Sequence, residues 1–183
     1  MIIEDTAITL KDGRRAVLRS AREEDVQGVL DYLRISAGET HFLLRTPAEC
    51  GKYTYEGEKA LFERMNSSPT DAMIVCDVEG EIAGNCQIVF NNRIRTGHRA
   101  EVAIALMKKY WGLGIGNSMF ALMEDVARRQ GRVTQLELAF VEGNTRARAL
   151  YEKRGFRISG VHPGAIRLED GRLLNEYLMI KEL

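Results

Sequence analysis

The chain has 183 residues, 45% of them apolar and 28% charged, which fits a single domain spanning residues 1–183 with one well-filled core. Its 26 basic side chains balance 26 acidic ones, so no cationic excess points to nucleic acid or an anionic membrane as partner. No apolar run approaches the roughly 20 residues of a membrane span, and Met1-Ile2-Ile3-Glu4-Asp5 lacks the basic start and apolar stretch of a secretory leader. A cytoplasmic location is expected. Cys50, Cys76 and Cys86 show no metal-type pairing and are expected as reduced, structural thiols.

Thr6–Leu10 and Arg14–Arg19 have strand character around the turn Lys11-Asp12-Gly13. Ser20-Ala21-Arg22-Glu23 has capping-box spacing, which predicts a helix from Glu23 to Arg34 with Val26, Val29, Leu30 and Leu33 on its apolar face. Ser36–Tyr55 gives no clear pattern and is either a loop or a broken helix; Glu58–Met65 is a short helix. Ala72–Val78 and Ile82–Phe90 are strands joined at Glu79-Gly80, and a polar loop, Asn91–Arg99, leads to a third strand at Ala100–Met107. Then follow a glycine-rich loop, a helix (Asn117–Arg129), a strand (Val133–Phe140), a helix (Thr145–Lys153) and strands at Phe156–Val161 and Asn175–Lys181. An antiparallel meander followed by a βαβ-like unit predicts an α/β fold, a mixed sheet with helices on both faces.

Tyr110-Trp111-Gly112-Leu113-Gly114-Ile115-Gly116 lies where a strand ends and a helix begins. Glycines there permit positive φ, and the helix start presents unpaired N–H donors and a positive dipole end, a setting that favours phosphate. A P-loop would need a lysine after its last glycine, but Asn117 and Ser118 follow; a Rossmann loop would need glycine at Asn117. Taken alone, the loop remains compatible with a turn that holds no ligand. Further on, Asn144 is placed to cap a helix, Ala147, Leu150 and Tyr151 share one helical face, and Gly155 supplies a stop before Phe156.

Together these segments resemble the GNAT acetyltransferase superfamily. Its coenzyme A loop has the form Gln/Arg-x-x-Gly-x-Gly/Ala, matched at Gly114 and Gly116 with Trp111 in the Gln/Arg position. Its later segment, Asn-x-x-Ala-x-x-Leu-Tyr-x-x-x-Gly-Phe, is matched throughout from Asn144 to Phe156. The resemblance implies a GNAT-like fold and an N-acetyltransferase with acetyl-CoA as donor. It implies a coenzyme site formed by Ile104, Ala105, Leu106, Trp111, Gly112, Leu113, Gly114, Ile115, Gly116, Asn117 and Asn144, in which the pantetheine arm pairs with strand backbone near Ile104–Leu106. It also implies Tyr151 as the acid that protonates the leaving sulfur. For the base, Glu101 is preferred to His98 and Glu142, because it opens the strand before the loop on the side of Ala103 and Ala105. His41, His98 and His162 lack ligand spacing, so no metal is expected. Basic residues in Asn92–Arg99 are read as a solvated loop. The expected acceptor is a small-molecule primary amine, with a protein N-terminus or lysine as the alternative and a non-catalytic acyl-CoA-binding module as a second one. Ser36–Tyr55 is the expected specificity segment, and a homodimer is compatible with the resemblance.

Overall fold

The computed structural model describes all 183 residues. A sheet of eight strands carries the chain: β1 (Thr6–Thr9), β2 (Arg15–Ser20), β3 (Ala72–Val78), β4 (Glu81–Phe90), β5 (Arg99–Leu106), β6 (Gln135–Val141), β7 (Arg157–Arg167) and β8 (Leu173–Glu182). Their spatial order is β1-β2-β3-β4-β5-β6-β8-β7, antiparallel throughout except for β5 and β6, which run parallel. β3 opens with the unbroken apolar run Ala72-Met73-Ile74-Val75-Cys76, buried along its length, as a strand covered on both faces must be.

Helices α1 (Val26–Glu39), α2 (Pro47–Cys50) and α3 (Tyr55–Ser67) come before β3; α4 (Ile115–Arg129) and α5 (Thr145–Lys153) follow β5 and β6. Side chains alternate along β5, so Ala105 and Ile104 face opposite ways. From α1, Tyr32 donates to Asn85 Oδ1 at 3.0 Å, and Asn85 is the β4 neighbour of Ala105. At the start of α4, a Cβ on Gly116 would lie 3.7 Å from Ile104 Cδ1. The first helices therefore cover one face and α4 with α5 the other. Ile115, Met119, Phe120, Met123, Val126 and Ala127 recur at helical spacing on α4 and all are buried.

The helix starts differ from the sequence expectation for identifiable reasons. Ser20 caps no helix: it ends β2, and its hydroxyl accepts the Ile3 N–H at 3.0 Å. The chain turns instead at Glu23–Asp25, a 3₁₀ turn in which the Asp25 carboxylate accepts the Arg22 N–H at 2.7 Å, and α1 then runs on to Glu39. Ser36–Tyr55 resolves into the end of α1, the short α2 and the start of α3. The α2 start is a capping box: Thr46 Oγ1 accepts the Glu49 N–H at 3.3 Å while Glu49 accepts the Thr46 N–H at 2.8 Å. β7 extends past Val161 to Arg167, because register shifts between His162 and Ile166 absorb Pro163 and Gly164 without ending the strand.

Asp25 also anchors Arg19, whose side chain is only 7% exposed: Nη1 and Nη2 reach the two carboxylate oxygens at 2.5 and 2.8 Å, and Nη2 reaches Asp77 at 2.9 Å. Removing one partner of a buried pair strands the other charge, at a cost of about 3–5 kcal/mol. Asp25→Ala is expected to fall near the lower figure, since Asp77 still shares the guanidinium. A urea-denaturation midpoint equal to wild type would rule this out.

Candidate active site

β5 and β6 pair only at Arg99–Gln135, Ala100–Leu136 and Glu101–Glu137. Past Glu101 the two strands part, although β5 stays paired to β4 as far as Leu106. In that ladder Met107 N–H donates to the Ala83 carbonyl at 2.9 Å, so by antiparallel alternation Ala105 also directs its N–H and C=O toward β4. The Ala105 carbonyl additionally accepts the Tyr32 hydroxyl at 3.1 Å, and a Cβ on Gly84 would lie 2.2 Å from that oxygen. Only glycine fits there. The backbone groups of Ile104 and Leu106 consequently face the gap, whereas those of Ala105 do not, which narrows the expected set to the two residues flanking it.

The gap opens into a cavity of about 450 Å³. Its walls include Ile104, Ala105, Leu106, Trp111, Gly112, Gly114, Ile115, Gly116, Asn117, Asn144 and Tyr151. Gly112 and Gly114 hold φ of +80° and +99°, and Gly114 is the N-cap of α4, so that helix starts at Ile115, two residues earlier than its sequence suggests. The loop is pinned from the other side, because Lys11 N–H in the β1–β2 turn donates to the Leu113 carbonyl at 3.1 Å. Leu113 itself packs against the core rather than into the cavity. The N–H groups of Gly112, Leu113, Gly114, Ile115 and Gly116 donate to no protein carbonyl. Unpaired donors at a helix N-terminus beside a cavity fit a phosphate group.

On the opposite wall α5 is fixed at both ends. Asn144 Oδ1 accepts the Ala147 N–H at 3.2 Å, leaving the amide nitrogen for the cavity. At the far end Gly155 N–H bonds the Glu152 carbonyl at 2.9 Å and Phe156 N–H bonds the Tyr151 carbonyl at 3.0 Å, with Gly155 at φ +87°. This Schellman arrangement explains the Gly155-Phe156 pair in the motif. It also fixes the helical turn that carries Tyr151. The Tyr151 ring sits among Phe120, Phe140 and Phe156, with centroids 5.6, 6.0 and 6.3 Å away. Burial pushes its phenol up to about 12, and no protein group hydrogen-bonds the hydroxyl.

Glu101 stands apart from these residues. It is exposed at the last β5 position paired to β6, on the face covered by α1 and α3, and is not part of the cavity wall. Conversely, the cavity contains Lys11, Arg146 and Lys153, which sequence reasoning did not single out, together with Thr40, Phe42 and Leu43 from the expected specificity segment Ser36–Tyr55. Phe42 crosses onto the β6–α5 turn, where a Cβ on Gly143 would lie 3.6 Å from its ring. Lys11 is remote in sequence and reaches the site only through the bond between its turn and Leu113. No short-range pattern could have announced it.

A parted strand pair, a helix start with unpaired N–H donors and a buried phenol thus lie together around one cavity. The sequence profile of the acetyltransferase (GNAT) family matches residues 40–156, well over half of the 183, and the chain belongs to that family. It is an N-acetyltransferase that uses acetyl-CoA. Over 119 residues it is 25% identical to the L-amino acid N-acetyltransferase AaaT of Escherichia coli, covering 65% of this chain and 73% of that one. A GNAT-family acetyltransferase from Streptococcus pneumoniae superposes with a TM-score of 0.85 at 26% identity, over 92% of this chain and 99% of the other. A phosphinothricin acetyltransferase from Sinorhizobium meliloti, solved in complex with acetyl-CoA, shares the fold with a TM-score of 0.77 at 21% identity, over 92% and 88% of the two chains.

Proposed function

We propose that the chain transfers an acetyl group from acetyl-CoA to the primary amine of a small molecule, by direct attack within a ternary complex. The observation that carries this reading is the gap past Glu101, with free backbone at Ile104, a free N–H at Leu106, the unpaired donors of the Gly112–Gly116 loop and the Tyr151 phenol around one cavity. The donor's pyrophosphate lies on the start of α4, and its pantetheine arm lies along Ile104 and Leu106 as an added strand. Holding both reactants removes much of the entropic barrier to a bimolecular step.

The amine nitrogen forms a bond to the thioester carbon, and the Leu106 N–H stabilises the charge that develops on the carbonyl oxygen. The carbon–sulfur bond then breaks, and Tyr151 gives its proton to the departing sulfur. In this reading the acceptor approaches past Thr40, Phe42 and Leu43, the part of the cavity wall that follows α1. Glu101 lies outside that wall and takes the ammonium proton through intervening water. The small-molecule assignment is supported by the E. coli relative, an L-amino acid N-acetyltransferase, and by the partly apolar wall that Thr40, Phe42 and Leu43 give the cavity. It is tested by following thiol release from acetyl-CoA over amino acids, polyamines and peptides. Turnover of free amino acids or polyamines is expected; activity confined to peptides would overturn the small-molecule assignment. Coenzyme binding without turnover of any acceptor would make the chain a binding module.

A further inference from the structure

Trp111 occupies the loop position where the family pattern has Gln or Arg. Its indole is committed elsewhere: Nε1–H donates to the Leu106 carbonyl at 2.9 Å, satisfying an acceptor that would otherwise face the gap. The ring is thereby fixed at the edge of the gap, and the Arg146 guanidinium lies over it, 5.1 Å from the centroid. Arg146 belongs to the first turn of α5 and lines the cavity. A Cβ placed on Gly112 would come within 3.7 Å of its Nη1, so a charged N–H stands directly at the loop with unpaired donors. Two residues on, Arg148 is neutralised by Glu152 at 2.8 Å, whereas Arg146 has no carboxylate partner. A guanidinium resting on an aromatic face is held in place while its edge remains free for a bidentate contact to phosphate oxygens.

We propose that Arg146, carried on the Trp111 ring, is the cationic arm that binds the pyrophosphate of the donor, so that α5 supplies the side-chain contact the loop's first position lacks. Trp111 acts through Arg146 and is a positioning residue. The proposal rests on the acetyl-CoA reading above, and its test separates the two. Dissociation constants are measured by calorimetry for the full chain and its variants with acetyl-CoA and with 3′-dephospho-acetyl-CoA. Arg146→Ala is expected to raise both constants on the order of tenfold to a hundredfold, and by the same factor, since both ligands keep the pyrophosphate. Arg146→Lys, which restores the charge without the fork, is expected to recover part of the loss.

Trp111→Ala is expected to weaken binding in the wild-type background and to add little once Arg146 is alanine, the coupling of residues acting as one unit. Trp111→Phe keeps a ring face and should stay within about threefold of wild type, since most of the stacking surface survives. Unchanged affinity in Arg146→Ala would overturn the proposal. So would a penalty that appears only with the 3′-phosphate present, because it would move Arg146 to that phosphate. Independent losses at Trp111 and Arg146 would remove the platform role. A wild-type chain that binds neither ligand would remove the acetyl-CoA reading and this proposal with it.

Discussion

Tyr151→Phe is expected to lower kcat on the order of a hundredfold while leaving the dissociation constant for acetyl-CoA within about twofold, the signature of a proton donor used after binding. The hydroxyl has no protein partner, so its removal leaves no buried group unsatisfied, and the ring's contacts with Phe120, Phe140 and Phe156 survive. Thermal stability should therefore hold, and lost rate cannot be ascribed to a damaged fold. The pH dependence follows from the same burial. With the phenol pushed up to about 12, Tyr151 stays protonated across the working range, so wild-type kcat should climb as the amine deprotonates and then level off. A falling limb near pH 10, where an ordinary tyrosine ionises, would contradict the buried environment. Unaltered turnover in Tyr151→Phe, measured in a single-turnover regime where chemistry limits, would take the residue out of the mechanism.

The sequence made the two walls of the cleft legible for different reasons. On the α5 wall each motif residue answers to local backbone geometry: Asn144 as N-cap, Gly155 at positive φ, Phe156 closing the Schellman turn. Local requirements leave local patterns, and the pattern was complete. The loop before α4 was legible for the same reason, through glycines that hold φ of +80° and +99°. What stayed hidden depends on contacts between distant segments. The parting of β5 from β6 after Glu101 leaves no mark in either strand's alternation, and the turning of Ala105 toward β4 depends on the register of β5 against β4. Lys11 reaches the cavity from a turn far from both motifs. Even the missed cap at Thr46 was masked less by weak chemistry than by the shortness of α2, a helix of 4 residues that shows no periodicity.

Gly114→Val should weaken acetyl-CoA binding on the order of a hundredfold, and Gly80→Val isolates the reason. Both glycines sit at positive φ, +99° and +91°, and at both a Cβ would meet nothing within 4 Å. The two substitutions thus carry a similar backbone penalty, about 1–2 kcal/mol for forcing an L-residue into the left-handed region. They differ in what occupies the open space. At Gly80 it is space at the exposed β3–β4 turn, outside the cavity; at Gly114 it is the cavity in front of the unpaired N–H groups of the loop. Comparable losses of folding stability are therefore expected from both, and loss of coenzyme affinity from Gly114→Val alone, because its side chain stands where phosphate oxygens must approach the backbone. If both variants bound acetyl-CoA as wild type does, the phosphate would have to lie elsewhere. If both lost affinity equally, general destabilisation would account for it, and the helix start would have no special claim on the coenzyme.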